Sequence, residues 1–207
     1  MNIESSNRII IFVSFFTALT AIGAFIKIPL PHIPITLQTF FVIMSGNMLG
    51  YKFGTLSQIL YLILGLIGIP IFAYGGGPGY VFQPTFGYLL GYPIGAFSIG
   101  MLLKLVSSHY KNKEASRRKV FVIFLLADVF GVVVVFIFGL AYLYFNLKLG
   151  LYLRLEQFAS ANINWKASAE VVILMFIPID LVKALLASWI TVHLRRLMKF
   201  NLTVGTL

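Results

Sequence analysis

Long apolar runs fill most of the chain, and short segments rich in charge, glycine or proline separate them. A helix needs about 20 apolar residues to cross roughly 30 Å of hydrocarbon, and most of the runs approach this length. The pattern predicts six transmembrane helices, at approximately residues 9–26, 35–50, 53–72, 84–103, 120–147 and 171–193. We therefore expect an all-α integral membrane protein in which residues 1–207 form a single transmembrane domain.

Proline and glycine divide the longer apolar stretches. The prolines at 29, 31 and 34 lack an amide donor and bias each preceding residue toward extended geometry, so they exclude a continuous helix there. No charged residue lies between Lys52 and Lys104, a stretch too long for one helix, and the glycine-rich segment 75–79 divides it in two. A phosphate-binding loop is excluded in this segment, because no Gly-Lys pair occurs in the sequence.

Composition supports the membrane class and excludes several functions. Hydrophobic residues make up 59% of the chain and charged residues 11%, with a mean hydropathy of +0.95. Cysteine is absent, which excludes a disulfide framework and a thiolate nucleophile. The formal charge of +10 lies between apolar segments rather than on a soluble face, so a nucleic-acid partner is not expected.

Basic residues predict the orientation. If the N-terminus is cytoplasmic, eleven basic residues lie on the cytoplasmic side. This excess over the opposite side is a strong positive-inside signal. The eleven residues are Arg8, Lys52, Lys104, Lys111, Lys113, Arg117, Arg118, Lys119, Arg195, Arg196 and Lys199. The opposite side holds Lys27, Lys148, Arg154 and Lys166. Both termini are therefore predicted to be cytoplasmic, which also accounts for the basic run at 111–119, although an anionic-lipid site there is the alternative.

Two charged residues in the last apolar run are the main candidates for function. Asp180 and Lys183 are about 60° apart around a helix, so both can face one interior cavity. Each costs about 2.5 to 3.5 kcal/mol at the centre of a bilayer, which favours a functional role over a pair that only neutralises itself. With Asp128 they could instead form the relay of an ion channel or proton-coupled carrier. A membrane enzyme would need the carboxylates of Asp128 and Asp180 within about 5 to 10 Å of each other.

The predicted orientation places three connections on the outer face: residues 28–34, 73–83 and 148–169. A capture site that opens outward follows. The aromatic residues nearby either form an interfacial belt or stack on a ligand, and the sequence leaves both open. They are Tyr74, Tyr80, Phe82, Tyr88, Phe158 and Trp165. Glycine permits close backbone approach, so Gly77 is a candidate ligand contact.

Four segments carry a resemblance to a known family. They are Pro-His-Ile-Pro-Ile-Thr-Leu-Gln-Thr at 31–39, Leu-Tyr-Leu-Ile-Leu-Gly-Leu-Ile-Gly-Ile-Pro-Ile-Phe-Ala at 60–73, Pro-Thr-Phe-Gly-Tyr-Leu-Leu-Gly at 84–91 and Pro-Ile-Asp-Leu-Val-Lys-Ala at 178–184. In this order they resemble the BioY family, the biotin-specific substrate-capture (S) components of energy-coupling-factor (ECF) transporters. The chain departs from the family pattern at Gln83, Phe86 and Ile179, where glycine is usual.

The resemblance implies a protein of the bacterial plasma membrane that captures biotin from outside with high affinity. A separate transmembrane coupling protein and cytoplasmic ATPases would supply the work, in keeping with the absence of a Walker motif from the sequence. We expect no enzyme activity and no cofactor. No metal site is expected either, because the histidines at 32, 109 and 193 are too scattered to form a ligand set.

The resemblance also suggests roles for individual residues. Lys183 offers a point charge for the biotin carboxylate, and Asp180 offers acceptors for the ureido N–H groups. Three further candidates for polar contacts are Gln38, Thr85 and Tyr88. The small face of the first helix formed by Ser14 and Ala18 would either dock on the coupling protein or pack within the bundle. Glycines at 46, 50 and 54 predict tight packing where helices two and three meet.

Overall fold

The structure, a computed structural model, describes residues 3–29, 34–109, 116–148, 170, 174 and 176–197. Five long helices dominate this part of the chain: α1 (Ile3–Phe25), α2 (Gln38–Leu66), α3 (Phe86–His109), α4 (Arg117–Lys148) and α5 (Ile177–Leu197). The remaining regular elements are the strands β1 (Lys27–Ile28) and β2 (Ile35–Thr36) and a 3₁₀ helix at Pro78–Phe82. All five helices are long and apolar enough to cross a membrane, so the predicted all-α membrane class is confirmed.

Helix α2 folds back on itself at Gly50. This residue has φ 72° and ψ −175°, a conformation that glycine adopts without steric cost. The two arms, residues 38–49 and 51–66, lie side by side. Gln38 Nε2 donates to the Tyr61 hydroxyl at 2.6 Å, and Gln58 Nε2 donates to Ser45 Oγ at 3.1 Å. The arms therefore form a helical hairpin that corresponds to the second and third helices of the sequence prediction.

The first arm begins later than the sequence predicted. Its expected start was residue 35, but Ile35 and Thr36 form β2, which pairs antiparallel with β1 in the register Lys27 to Thr36. The Leu37 N–H then donates to the carbonyl oxygen of Gly23 at 3.0 Å. The end of α1 and the start of α2 are therefore held together by backbone bonds.

Other helix ends also differ from the prediction. The second arm stops at Leu66 rather than 72, because Gly68 has a φ of 115° and Pro70 lacks an amide donor. Helix α3 continues past the predicted end at 103. Its Lys104 lies 3.3 Å from the hydroxyl of Tyr51 and 4.7 Å from that ring's centroid, so the ammonium group is accommodated at the end of the bundle.

The helices pack with apolar faces both inside and outside. Helix α3 lies between α2 and α4, α1 packs on α2, and α5 packs against α4 and α2. Fully buried side chains such as Tyr61, Ile99 and Phe124 fill the interior. Large apolar side chains also point outward, among them Ile11 at 64% and Leu126 at 65% exposure. Such outer faces suit lipid rather than water.

The glycines at the α2 turn make close backbone contacts, as the sequence predicted. A Cβ at Gly46 would lie 2.9 Å from the Ala96 carbonyl oxygen in α3, and one at Gly54 would lie 2.7 Å from the Ser45 carbonyl oxygen in the first arm. Tight packing is therefore confirmed. Gly46 contacts both neighbours: a Cβ at Gly54 in the second arm would lie 3.1 Å from the Gly46 Cα, and a Cβ at Gly46 itself would meet α3.

We predict that Gly46→Leu lowers the thermal unfolding temperature in detergent, because overpacking of a close helix contact costs about 1 to 3 kcal/mol. The matched control is Gly79→Leu, since a Cβ at Gly79 meets nothing within 4 Å. Thermal unfolding followed by intrinsic fluorescence is the measurement. Equal unfolding temperatures for the two variants would contradict the packing described here.

Candidate ligand-binding cavity

A cavity lies where the start of α2, the loop before α3 and the inner faces of α3, α4 and α5 meet. About 500 Å³ of it is free of protein atoms, part of this open to the outside. Its lining residues are Pro34, Thr36, Gln38, Thr39, Ala73, Tyr80, Thr85, Tyr88, Leu89, Tyr92, Val135, Phe136, Phe176, Asp180 and Lys183.

A chain of hydrogen bonds fixes the α2 side of the cavity. Thr36 Oγ1 donates to Gln38 Oε1 at 2.9 Å, and Gln38 Nε2 donates to the Tyr61 hydroxyl. The Tyr61 hydroxyl then donates to the Ile71 carbonyl oxygen at 2.9 Å. Gln38 and Tyr61 are almost completely buried. The chain thus joins β2, both arms of α2 and the following loop into one rigid wall.

The charged pair lies in the first turns of α5. Asp180 belongs to the first turn, where the helix dipole favours a carboxylate. Lys183 is one turn later and forms an ion pair with it. The side chains are only 3% and 10% exposed, respectively, so both charges are held away from water. The i,i+3 spacing places both groups on one face, as the sequence predicted.

Lys183 and Asp180 share their partners on α2. The lysine Nζ donates to the Thr36 carbonyl oxygen at 2.7 Å and to Thr39 Oγ1 at 2.9 Å, and it also donates to Asp180 Oδ1. Thr39 Oγ1 in turn donates to Asp180 Oδ1 at 2.8 Å. An ammonium group has three N–H donors, so every donor of Lys183 has a partner. A buried ion pair of this kind is stabilised only with such additional bonds.

Aromatic side chains form the opposite wall. Tyr88 packs edge-to-face on Phe136, with ring centroids 5.9 Å apart. The Tyr88 hydroxyl is buried and has no hydrogen-bond partner in the described part of the chain. Tyr80 is 3.4 Å from Thr85, hydroxyl to hydroxyl, and burial raises its pKa above the usual range, so it stays neutral at physiological pH. The wall therefore offers apolar surface with a few neutral hydroxyls.

The structure brings together five of the six ligand-contact candidates from the sequence: Asp180, Lys183, Gln38, Thr85 and Tyr88 all line the cavity. Gly77 does not. Its φ of 99° places it at the start of the 3₁₀ helix, and its N–H donates to the Gly65 carbonyl oxygen at 2.7 Å. This donor is therefore used within the loop.

Several lining residues were not singled out from the sequence. Thr36 and Thr39 belong to the first segment that carries the family resemblance, and Tyr92 lies one turn after Tyr88 on the same face of α3. These signals could have identified them. Of the aromatic candidates, Tyr80 lines the cavity, whereas Tyr74 is 43% exposed beneath the Lys27 ammonium. Phe158 and Trp165 lie outside the described residues.

Ser14 and Ala18 lie on the exposed face of α1. Thr17, on the adjacent face, is buried and donates to the Ser57 carbonyl oxygen at 2.9 Å. The face formed by Ser14 and Ala18 therefore packs against no other described part of the chain. Among the described residues, the structure therefore contains no contact of the kind expected from packing within the bundle, one of the two alternatives from the sequence.

Asp128 lies in a different cluster from the charged pair. Its Oδ2 accepts hydrogen bonds from Asn47 at 3.2 Å and from Ser188 at 2.6 Å. Within the described ranges, no hydrogen bond connects Asp128 with Asp180 or Lys183. Nor do these ranges contain a group of three or more His, Cys, Asp or Glu that could hold a metal ion.

Comparison with known proteins identifies the family. The BioY family profile matches residues 1–200. The chain is 40% identical over 151 residues to a probable biotin transporter BioY of Lysinibacillus sphaericus, covering 73% of this chain and 72% of the relative. It is 34% identical over 183 residues to the biotin transporter BioY of Thermotoga maritima, covering 88% and 92%.

A solved structure agrees with these relatives. The crystal structure of the S-component for biotin from an ECF-type ABC transporter matches with a TM-score of 0.74 and 28% identity, over 95% of each chain. The chain belongs to the BioY family.

Proposed function

We propose that this chain captures biotin in the cavity described above and serves as the substrate-specific subunit of an ECF-type importer. The observation that carries the proposal is the buried cluster of Lys183, Asp180 and Thr39 at the wall of an otherwise apolar cavity. The relatives are biotin transporters and the similar solved structure is an S-component for biotin, which supports biotin as the ligand. Biotin is then a transported ligand rather than a cofactor, and the role needs no catalysis by this chain.

The two ends of biotin match different parts of the cluster. The tail carboxylate binds the Lys183 ammonium, and the ureido N–H groups of the head donate to Asp180. Because the two ends of an extended biotin are farther apart than these paired groups, the ion pair must open when biotin binds. Since all three Lys183 donors already have partners, the carboxylate must take the place of one of them. The aromatic and aliphatic wall formed by Tyr88, Leu89 and Phe136 buries the sulfur ring and the tail methylenes.

We predict that Lys183→Met weakens biotin about tenfold to a hundredfold, because a charge-assisted hydrogen bond contributes roughly 1.5 to 3 kcal/mol. It weakens biotinamide, which has an uncharged tail, clearly less. Asp180→Ala weakens both compounds alike, since both keep the ureido ring. Calorimetric titration of purified protein measures these affinities. If Lys183→Met weakened the acid and the amide equally, the lysine would be only a structural partner of Asp180.

Tyr88→Phe separates ligand binding from stability. The hydroxyl it removes is buried without a partner, and such a group costs about 1 to 3 kcal/mol, so the unfolding temperature without ligand stays the same or rises. Biotin binds about fivefold more weakly because one neutral hydrogen bond is lost. The control is Tyr142→Phe, which removes a hydroxyl bonded to the Val81 carbonyl oxygen and lowers the unfolding temperature. Unchanged biotin affinity in Tyr88→Phe would exclude a hydrogen bond between the Tyr88 hydroxyl and biotin.

The proposed partners are a transmembrane coupling protein and cytoplasmic ATPases. The exposed small face of α1, formed by Ser14 and Ala18, is the docking surface, since small residues allow helices to approach closely in lipid. This face packs against no other described part of the chain, which supports the assignment.

We predict that Ala18→Trp abolishes biotin uptake by the full transporter in cells while biotin binding by the purified subunit is retained. The bulky ring obstructs the helix contact without reaching the cavity. Leu126→Trp is the control, because Leu126 is 65% exposed on α4, away from this face. Loss of binding in Ala18→Trp, or equal loss of uptake in both variants, would argue against docking through this surface.

The proposal includes six passes through the bacterial plasma membrane with both termini in the cytoplasm. The reversal of α2 at Gly50 supports it, because the two arms and the other four helices then give six helical segments. The excess of basic residues on the N-terminal side supports the orientation.

Single-cysteine labelling tests this topology, and the chain is suited to it because it contains no cysteine. A membrane-impermeant thiol reagent should label Tyr74→Cys in intact cells. It should label Ser116→Cys only after the membrane is permeabilised. The opposite pattern would reverse the orientation, and labelling of both sites in intact cells would contradict the number of passes.

A further inference from the structure

A second cluster of polar side chains lies inside the bundle, around Asp128. The aspartate is fully buried in α4, and its Oδ2 accepts from Asn47 Nδ2 in α2 and from Ser188 Oγ in α5. Asn47 Nδ2 also lies 3.4 Å from Thr191 Oγ1. The other carboxyl oxygen, Asp128 Oδ1, has no partner within the described residues. One carboxyl group thus connects three helices in the apolar interior.

Among the side chains that the structure describes, no positive charge balances this carboxyl group. The side chains bonded to it, Asn47 from α2 and Ser188 from α5, are neutral, as is Thr191 beside them. Across the described ranges, the single ion pair is the one between Lys183 and Asp180. An ionised carboxylate buried without a counter-charge is strongly unfavourable, and a buried oxygen without a partner is far less costly on a neutral acid.

The cluster joins the same two helices as the ligand-binding cluster. On α2, Asn47 follows Thr39 by eight residues, and on α5, Ser188 follows Asp180 by eight residues. Eight residues correspond to about 12 Å along a helix. Helices α2 and α5 are therefore connected at two levels, directly through Thr39 and Asp180 and, deeper in the bundle, through Asp128. Two such points fix both the distance and the tilt between the helices.

We propose that Asp128 is held as a neutral acid and acts as a positioning residue for ligand binding, by fixing α5 against α2 so that Lys183 and Asp180 lie opposite Thr36 and Thr39. Asp128 touches no ligand in this role. It also takes no part in a relay to the charged pair. The inference rests on the proposed capture of biotin, because biotin affinity reports the position of α5.

Biotin affinity and unfolding temperature should be measured together on four variants of the purified full chain. Asp128→Asn keeps a neutral hydrogen-bonding group of the same size and binds biotin within about twofold of the wild type, whereas Asp128→Leu weakens biotin about tenfold. Ser188→Ala removes the 2.6 Å bond with little change of volume and weakens biotin about threefold. The Ser188→Ala variant keeps the test decisive if Asp128→Leu does not fold.

The control is Thr20→Val, which breaks a buried bond of the same kind, from Gln58 Nε2 to Thr20 Oγ1 at 3.2 Å, between α1 and α2. It lowers the unfolding temperature but leaves biotin affinity unchanged, because α5 is not involved. Wild-type affinity in both Asp128→Leu and Ser188→Ala would overturn the positioning role. Equal weakening in Asp128→Asn and Asp128→Leu would overturn the neutral state, since the negative charge would then be what matters.

Infrared difference spectra report the protonation state of Asp128, which general destabilisation does not change. Wild type minus Asp128→Asn at neutral pH should contain the C=O stretch of a protonated carboxylic acid, and its absence would overturn the neutral state directly. The measurements also distinguish a failure of the positioning role from a failure of the proposed function. If the wild type does not bind biotin, biotin capture is wrong. If the wild type binds and the Asp128 and Ser188 variants bind equally well, only the positioning role is wrong.

Discussion

The pairing of Lys183 with Asp180 in the apolar interior is the interaction on which the half of the structure around the cavity depends. Removing two charges from water costs several kcal/mol each, and their attraction offsets this only when further hydrogen bonds are made. Those bonds come from the Thr36 carbonyl oxygen in β2 and from the Thr39 hydroxyl in α2. The charged pair on α5 therefore requires the chain just before and within the first turn of α2 to be held in one place.

That requirement explains the irregular segments around the cavity. A helix beginning at residue 35 would use the Thr36 carbonyl oxygen within its own backbone ladder, whereas the short β1–β2 pair leaves it free to accept from Lys183. The fold at Gly50 returns the second arm so that Tyr61 reaches Gln38. Tyr61 then bonds the loop that carries Tyr80 and Thr85 to the cavity. Irregular backbone at this depth is tolerated because it lines a cavity rather than facing lipid.

The sequence revealed the parts of the site that are chemically conspicuous. A charge within an apolar run is rare, so Asp180 and Lys183 could be identified from position alone, and the family segments added Gln38, Thr85 and Tyr88. Chemistry alone could not identify Thr36, because it contributes a backbone oxygen that every residue possesses; only its place in the first family segment points to it. Helix ends were less predictable for a related reason. The start of α2 depends on pairing with β1, a contact between distant residues that hydrophobic periodicity does not encode.

All three N–H donors of Lys183 already have partners, and this affects which ligands the cavity selects. A ligand group that binds the ammonium displaces an existing partner, so it gains only the difference between the new bond and the old one. The bond from the ammonium to the Thr36 carbonyl oxygen is already charge-assisted, so a neutral acceptor that replaces this oxygen gains little, whereas a carboxylate adds the attraction between two opposite charges. Burial of apolar ligand surface against the aromatic wall contributes about 25 cal/mol per Å², whatever the charge of the tail. In the proposed binding mode, the aromatic wall therefore contributes affinity without regard to the charge of the tail, and Lys183 favours a ligand with a carboxylate.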